Sequence, residues 1–112
     1  MLYYKIIFSK KAKKDLTKIA KFMKNYNANK IIEKIYKNID DLIFMPRKHK
    51  TLIYLKDKNG EYRRMLSGKY SIIYKIVDDE IIILRIFNPK ENYLNLRKFI
   101  LREKSQKYLI KI

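Results

Sequence analysis

The stretch from Glu61 to Phe87, EYRRMLSGKYSIIYKIVDDEIIILRIF, limits the possible folds more than any other part of the chain. It contains three runs rich in β-branched and aromatic residues, separated by the short polar pairs Ser67-Gly68 and Asp78-Asp79. Such runs joined by two-residue turns read as an antiparallel meander, and turns this short also set the register. With Val77 opposite Glu80, the residues Tyr70, Ile72, Tyr74, Ile76, Ile81, Ile83 and Phe87 share one face, the expected core face, and Arg85 falls on it too. The other face receives Ser71, Ile73, Lys75, Val77, Glu80, Ile82, Leu84 and Ile86, joined by Tyr62, Arg64 and Leu66. In that register Arg64, Ser71 and Ile86 form one row across three strands, and the polar segment NPKENY that starts at Asn88 leaves beside it. Arg64 and Lys75 fit a site on this open face. Taken alone, they read better as surface cations whose stems lie over apolar neighbours.

Upstream of the meander the hydrophobic period changes. Residues 2–8, LYYKIIF, read as a first strand, and Ser9 offers a helix N-cap. From Lys10 to Lys24, one helical face carries Ala12, Leu16, Ile19, Ala20 and Met23, and the other carries Lys10, Lys11, Lys14, Lys18 and Lys21. After NYNAN, a second helical face contains Ala28, Ile31, Ile32, Ile35, Tyr36, Ile39, Leu42 and Ile43, and Met45-Pro46 ends it. Two helices with so short a join pack as an antiparallel hairpin. Residues 47–60 read as a connection with room for one short strand, and residues 93–107 as a C-terminal helix before the tail YLIKI. The expected architecture is a single α+β domain over residues 1–112, in two layers. Its order is N-terminal strand, helical hairpin, antiparallel meander and C-terminal helix.

Charge narrows the choice of partner. Lys and Arg number 28 against 11 Asp and Glu, a formal net charge of +17, so the chain is expected to meet a polyanion or an acidic protein. Frequent Ile, Lys, Asn and Tyr also fit a compositional bias, which is the plainer explanation of the same number. With no cysteine and one histidine, disulfides, thiolate nucleophiles and histidine-built metal sites are not expected. The first apolar run is too short for a signal peptide or a membrane span. There is no phosphate-binding glycine loop, dinucleotide fingerprint or nucleophile elbow. Asp78-Asp79 reads as a hairpin turn and Asp40-Asp41 as the outer side of a helix. His49 lies among Arg47, Lys48 and Lys50. It can act as a general base or simply be a solvated loop histidine, and the surrounding cations suit phosphate contact.

The order of elements, the helix SKKAKKDLTKIAKF, the second helix ending in LIFMP, and YRRMLSGKYSIIYKIVDDEIIILRIF followed by KENYLNL together resemble the RelE/ParE superfamily of type II toxin-antitoxin toxins over residues 2–97. The resemblance implies a cytoplasmic toxin that binds a cognate acidic antitoxin and reaches operator DNA through that complex. RelE-like members cut messenger RNA on the ribosome without a metal or other cofactor, and ParE-like members poison DNA gyrase. Metal-free cleavage requires an activated 2′-hydroxyl, a stabilised phosphate charge and a protonated leaving oxygen, which Lys, Arg and Tyr can supply. By position, the resemblance implies catalytic roles for Arg64, Lys90 and Tyr93 and an RNA contact from Arg63, and the basic cluster Arg47, Lys48 and His49 and the open-face Lys75 are expected to add further nucleic-acid contacts.

The sequence also departs from that pattern. Ser71 stands where RelE-like enzymes usually carry arginine, and Asn88, Pro89 and Glu91 interrupt the usual basic terminal loop. In the expected register Arg64 faces Ser71 and so can replace the missing guanidinium. The expected activity is ribosome-dependent RNA cleavage, and the alternatives are gyrase poisoning without catalysis and a non-toxic role with the antitoxin in operator binding.

Overall fold

The computed structural model describes residues 4–22, 28–52 and 61–90. In chain order these form β1 (Lys5–Phe8), α1 (Lys10–Phe22), α2 (Ala28–Asp40), a 3-10 turn (Asp41–Ile43), β2 (Lys50–Thr51), β3 (Glu61–Ser67), β4 (Tyr70–Val77) and β5 (Glu80–Phe87). The sheet has five strands in the order β1-β5-β4-β3-β2, with β1 parallel to β5 and the other pairs antiparallel. The two helices cover one face, giving the expected two-layer α+β arrangement. The short strand anticipated in residues 47–60 is β2. The expected C-terminal helix and tail lie outside the described residues.

The first hairpin turns one residue later than expected. Its turn residues are Gly68 and Lys69, and Ser67 pairs with Tyr70. Gly68 has φ 59, a conformation that its missing Cβ permits without strain. This moves every facing partner by two positions, so Arg64 lies opposite Ile73 and Leu66 opposite Ser71. Because side chains alternate with period two, a shift of two keeps Arg64 and Ser71 on the same face. The second hairpin turns at Asp78 and Asp79 with Val77 opposite Glu80, as the sequence indicates.

A β-bulge corrects the face assignment at the end of β5. Tyr74 pairs with Ile83 but Ile73 pairs with Arg85, which leaves Leu84 as an extra residue. One extra residue exchanges the faces of everything beyond it. Ile86 therefore belongs to the core and Phe87 to the opposite cluster, the reverse of the sequence-based expectation.

The main core joins Ala12, Leu16 and Ile19 of α1, Ile35 and Ile39 of α2, Leu42, and the inward residues of β3, β4 and β5. Two residues expected in it are peripheral. Ala20 is exposed, since each helical residue is turned by about 100° and Ala20 lies beyond the Ala12-Leu16-Ile19 contact line. Tyr36 is 43% exposed and meets Phe8 edge-on, with ring centroids 5.8 Å apart.

The face expected to be open is also largely buried. Leu52, Tyr62, Ile73 and Phe87 form a second apolar cluster there, with Leu84 against it, and Ser71 is fully buried. The apolar content of that face, Tyr62, Ile73 and Leu84, already favoured burial on both sides of the sheet.

Where β1 stops at Phe8, the start of α1 takes over as the neighbour of β5. The Ser9 backbone N–H donates to the Ile83 carbonyl at 2.9 Å. The Ser9 hydroxyl donates to the Leu84 carbonyl and accepts from the Ala12 N–H, both at 3.0 Å, so it caps α1 and ties it to the bulged strand. One turn later, the buried Asp15 carboxylate accepts the Ile86 N–H at 2.9 Å and the Arg85 Nε and Nη2 at 2.8 and 3.2 Å.

Candidate functional site

Adjacent residues of a strand point to opposite faces, so Arg63 and Arg64 cannot act on the same side of β3. The residues proposed from sequence accordingly separate into two groups.

Arg63 belongs with the segment that follows α2. Its Nε lies 2.6 Å from Glu61 Oε2, and its Nη1 donates to the carbonyls of Arg47, at 3.0 Å, and His49. With a side chain only 12% exposed, Arg63 braces Arg47–His49 against β3. Glu61 also lies 3.4 Å from Arg47 Nε, which places one carboxylate between two guanidinium groups. Arg47 Nη1 donates to Tyr4 Oη at 2.9 Å. That bond, outweighing burial, raises the Arg47 pKa further, so Arg47 stays a cation.

The same segment meets the core through Tyr74. Its hydroxyl donates to the Pro46 carbonyl at 2.6 Å, and burial pushes its pKa up to about 12. The His49 ring meets the Tyr74 ring edge-on at 6.4 Å. Burial, followed by the nearby charges of Lys48 and Arg63, lowers the His49 pKa, so the imidazole is neutral at pH 7. His49 and the exposed Lys48 line a cavity of about 300 Å³ together with Asn38, Asp41, Met65 and Leu66. A neutral imidazole lining a cavity can accept a proton from a bound group.

Arg64 and Lys75 occupy the opposite face. Arg64 Nε donates to Ser71 Oγ at 3.0 Å, a diagonal contact that survives the register shift. Lys75 Nζ sits 5.8 Å from the centre of the Tyr62 ring. Lys90 is exposed just beyond β5, and its backbone N–H donates to Asn88 Oδ1 at 3.0 Å. Asn88 therefore closes a turn around Pro89, a structural reason for the Asn-Pro pair in this loop. Tyr93 lies outside the described residues.

Sequence reasoning did not single out Glu61 or Asp15. Both had a legible signal. Glu61 is the one carboxylate beside the Arg63-Arg64 pair, and Asp15 is the only acidic residue of α1, next to its apolar stripe. Among the described residues no group of three or more His, Cys, Asp or Glu is placed to hold a metal ion.

A family model described as the ParE toxin of type II toxin-antitoxin system, parDE, matches residues 6–93. Among solved structures, the chromosomal ParDE system from P. aeruginosa superposes with a TM-score of 0.62 at 19% identity, covering 79% of this chain and 98% of that one. The archaeal RelE-RelB complex from Pyrococcus horikoshii OT3 gives 0.58 at 21% identity, covering 79% and 96%. A mutant E. coli toxin RelE in the free state gives 0.54 at 14% identity, covering 96% and 98%. At these identities the likeness is one of fold. No curated protein matches the sequence significantly.

Proposed function

The chain belongs to the ParE toxin family of type II toxin-antitoxin systems, and from that premise we propose that it arrests growth by binding DNA gyrase rather than by cutting RNA. The observation that carries this reading is the engagement of the cations on β3, β4 and β5. Arg63 is held by Glu61 and two carbonyls, Arg64 by Ser71, and Arg85 by Asp15, while Lys75 lies over Tyr62. Metal-free cleavage needs cations open to a scissile phosphate, and the middle of that sheet face is filled instead by Tyr62, Ile73 and Phe87. An inhibitor that acts by binding has no need of an open acid and base.

The partner that neutralises it is a cognate acidic antitoxin. The net charge of +17 supports such a partner, as do related folds solved as toxin-antitoxin complexes. Through that antitoxin the pair reaches operator DNA, and the toxin acts in the cytoplasm. Among the described residues no helix is long and apolar enough to cross a membrane.

Ribosome-dependent RNA cleavage has one specific observation in its favour. The partner of Arg64 is a neutral hydroxyl, so its charge is available to a phosphate, and the Lys90 side chain is exposed. One experiment separates the readings. The protein is induced in cells and, once purified, added both to a gyrase supercoiling reaction and to translating ribosomes. Inhibited supercoiling with an SOS response, unchanged in Arg64→Ala, supports the gyrase reading. Cleaved messages that disappear in Arg64→Ala overturn it in favour of the nuclease. A folded, well-expressed protein without effect on growth rejects both and leaves the operator-binding role.

A further inference from the structure

Helix α1 has the sequence KKAKKDLTKIAKF, and its six lysines, at 10, 11, 13, 14, 18 and 21, are all exposed. At 3.6 residues per turn, Lys10, Lys11, Lys14, Lys18 and Lys21 fall within an arc of about 100°. They form a straight stripe about 16 Å long. Nothing on the helix balances them, because its one carboxylate, Asp15, is buried against Arg85 and the Ile86 N–H.

The arrangement opposes helix stability in two ways. The first turn carries Lys10, Lys11 and Lys13 with no acidic residue, placing cations at the positive end of the helix dipole. Lys10–Lys14 and Lys14–Lys18 are like charges four residues apart, which repel along the helix surface. A helix selected for stability alone would place carboxylates at those positions.

We infer that the lysine stripe of α1 is a docking surface for the phosphate backbone of double-stranded DNA. Chemistry on the same face selects this partner. A protein interface relies on buried apolar or aromatic anchors, and between Lys10 and Lys21 every large apolar side chain faces the core. Among the described residues the exposed large hydrophobics are Tyr36, Phe44, Met45 and Leu66, none of them between Lys10 and Lys21. Single-stranded RNA is held by base stacking on aromatic rings, and the residues from Lys10 to Lys21 include none. The Thr17 hydroxyl is already bonded to the Lys13 carbonyl at 3.1 Å, so the face offers charge without a reader of sequence. A row of ammonium groups matches a regularly charged duplex, which it binds by releasing counterions. The inference goes beyond the gyrase reading and does not require it, since α1 touches DNA whether the toxin arrests gyrase or the ribosome.

The test measures binding of the purified protein to a 20-base-pair DNA duplex by fluorescence anisotropy across a salt series. Each lost phosphate contact lowers the slope of log affinity against log salt by about 0.9. The variant K10Q/K14Q/K18Q is expected to lower it by about 2.7, equivalent to roughly 40-fold less loss of affinity between 50 and 200 mM salt. The variant K30Q/K34Q/K37Q removes the same charge from exposed positions of α2 and is expected to change the slope by less than about 1. Equal losses in the two variants would mean that net charge, not the α1 stripe, binds DNA, and would overturn the inference. Tighter binding of single-stranded or duplex RNA at equal salt would overturn it as well. A second variant guards against a purely structural role. Lys10→Glu is expected to raise the melting temperature while weakening DNA binding, whereas a stabilising lysine would lower both when replaced.

Discussion

Replacing Asp15 tests whether the junction between α1 and the bulged end of β5 is held by one carboxylate. In Asp15→Ala the Ile86 N–H and the Arg85 guanidinium lose their acceptor together. The Arg85 side chain is 20% exposed and that of Asp15 9% exposed, so water compensates only in part. Leaving a buried charge without its partner costs about 3–5 kcal/mol. Leaving a buried backbone donor unmet costs about 1–3 kcal/mol. The two losses share one site and do not simply add, so the expected destabilisation is about 3–5 kcal/mol. Asp15→Asn keeps an acceptor for Ile86 but sets an amide against the guanidinium, and its expected cost is smaller, about 2 kcal/mol. Arg85→Met leaves the carboxylate with the Ile86 N–H. The double variant Asp15→Ala/Arg85→Met removes both charges, so it should be more stable than the sum of the single effects by at least about 1.5 kcal/mol. Urea unfolding followed by circular dichroism gives these differences from the midpoints, provided the slope m is unchanged. An Asp15→Ala protein within 1 kcal/mol of wild type, or additive single variants, would refute the reasoning.

Two pH responses follow from the site. His49 is the only histidine of the chain, so proton NMR follows it without ambiguity. Its pKa is lowered in the folded state, so the unfolded chain binds the proton more readily; stability contributed by neutral His49 is present above about pH 6.5 and is lost on acidification. A folded-state midpoint at or above 6.5 would contradict the burial described here. Tyr74 shifts the other way, from 10.0 to about 12, so the folded state holds its proton more tightly and its contribution is complete below pH 10. Between pH 10 and about 12 the fold should lose on the order of 2–3 kcal/mol, and Tyr74→Phe should lose less over the same interval, as read by urea midpoints at each pH.

The sequence makes the local parts of the structure legible. Ser9 as a cap, the Ala12-Leu16-Ile19 face and the Asp78-Asp79 turn depend on neighbours a few residues away, and each forms as read. The first turn was displaced by one position because Gly68, with its positive φ, takes the first turn position and Lys69 the second. Long-range features were not legible. The bulge at Leu84 is fixed by partners 75 residues away in Ser9 and by Asp15, and no local pattern in EIIILRIF reveals it. Two clues to that clamp were present all the same: Arg85 fell on an expected apolar face, and Asp15 was the lone carboxylate among lysines. At the candidate site, types and positions were readable, but alternation put Arg63 with Arg47–His49 and Arg64 with Ser71, so that set does not converge on one pocket.

The parallel pairing of β1 with β5 also governs timing. Lys5 pairs with Glu80, so an early strand must wait for the last strand of the meander before it has a partner. At a synthesis rate of about 5–20 residues per second, the interval is roughly 4–15 s. During it the Ser9 hydroxyl and the Asp15 carboxylate lack their acceptor and donors on β5, although α1 and α2 can already have formed as local helices. Because β5 lies between β1 and β4, the last strand among the described residues is the one that closes the sheet. A nascent chain therefore lacks the strand that joins β1 to the meander until β5, which ends at Phe87, has left the ribosome.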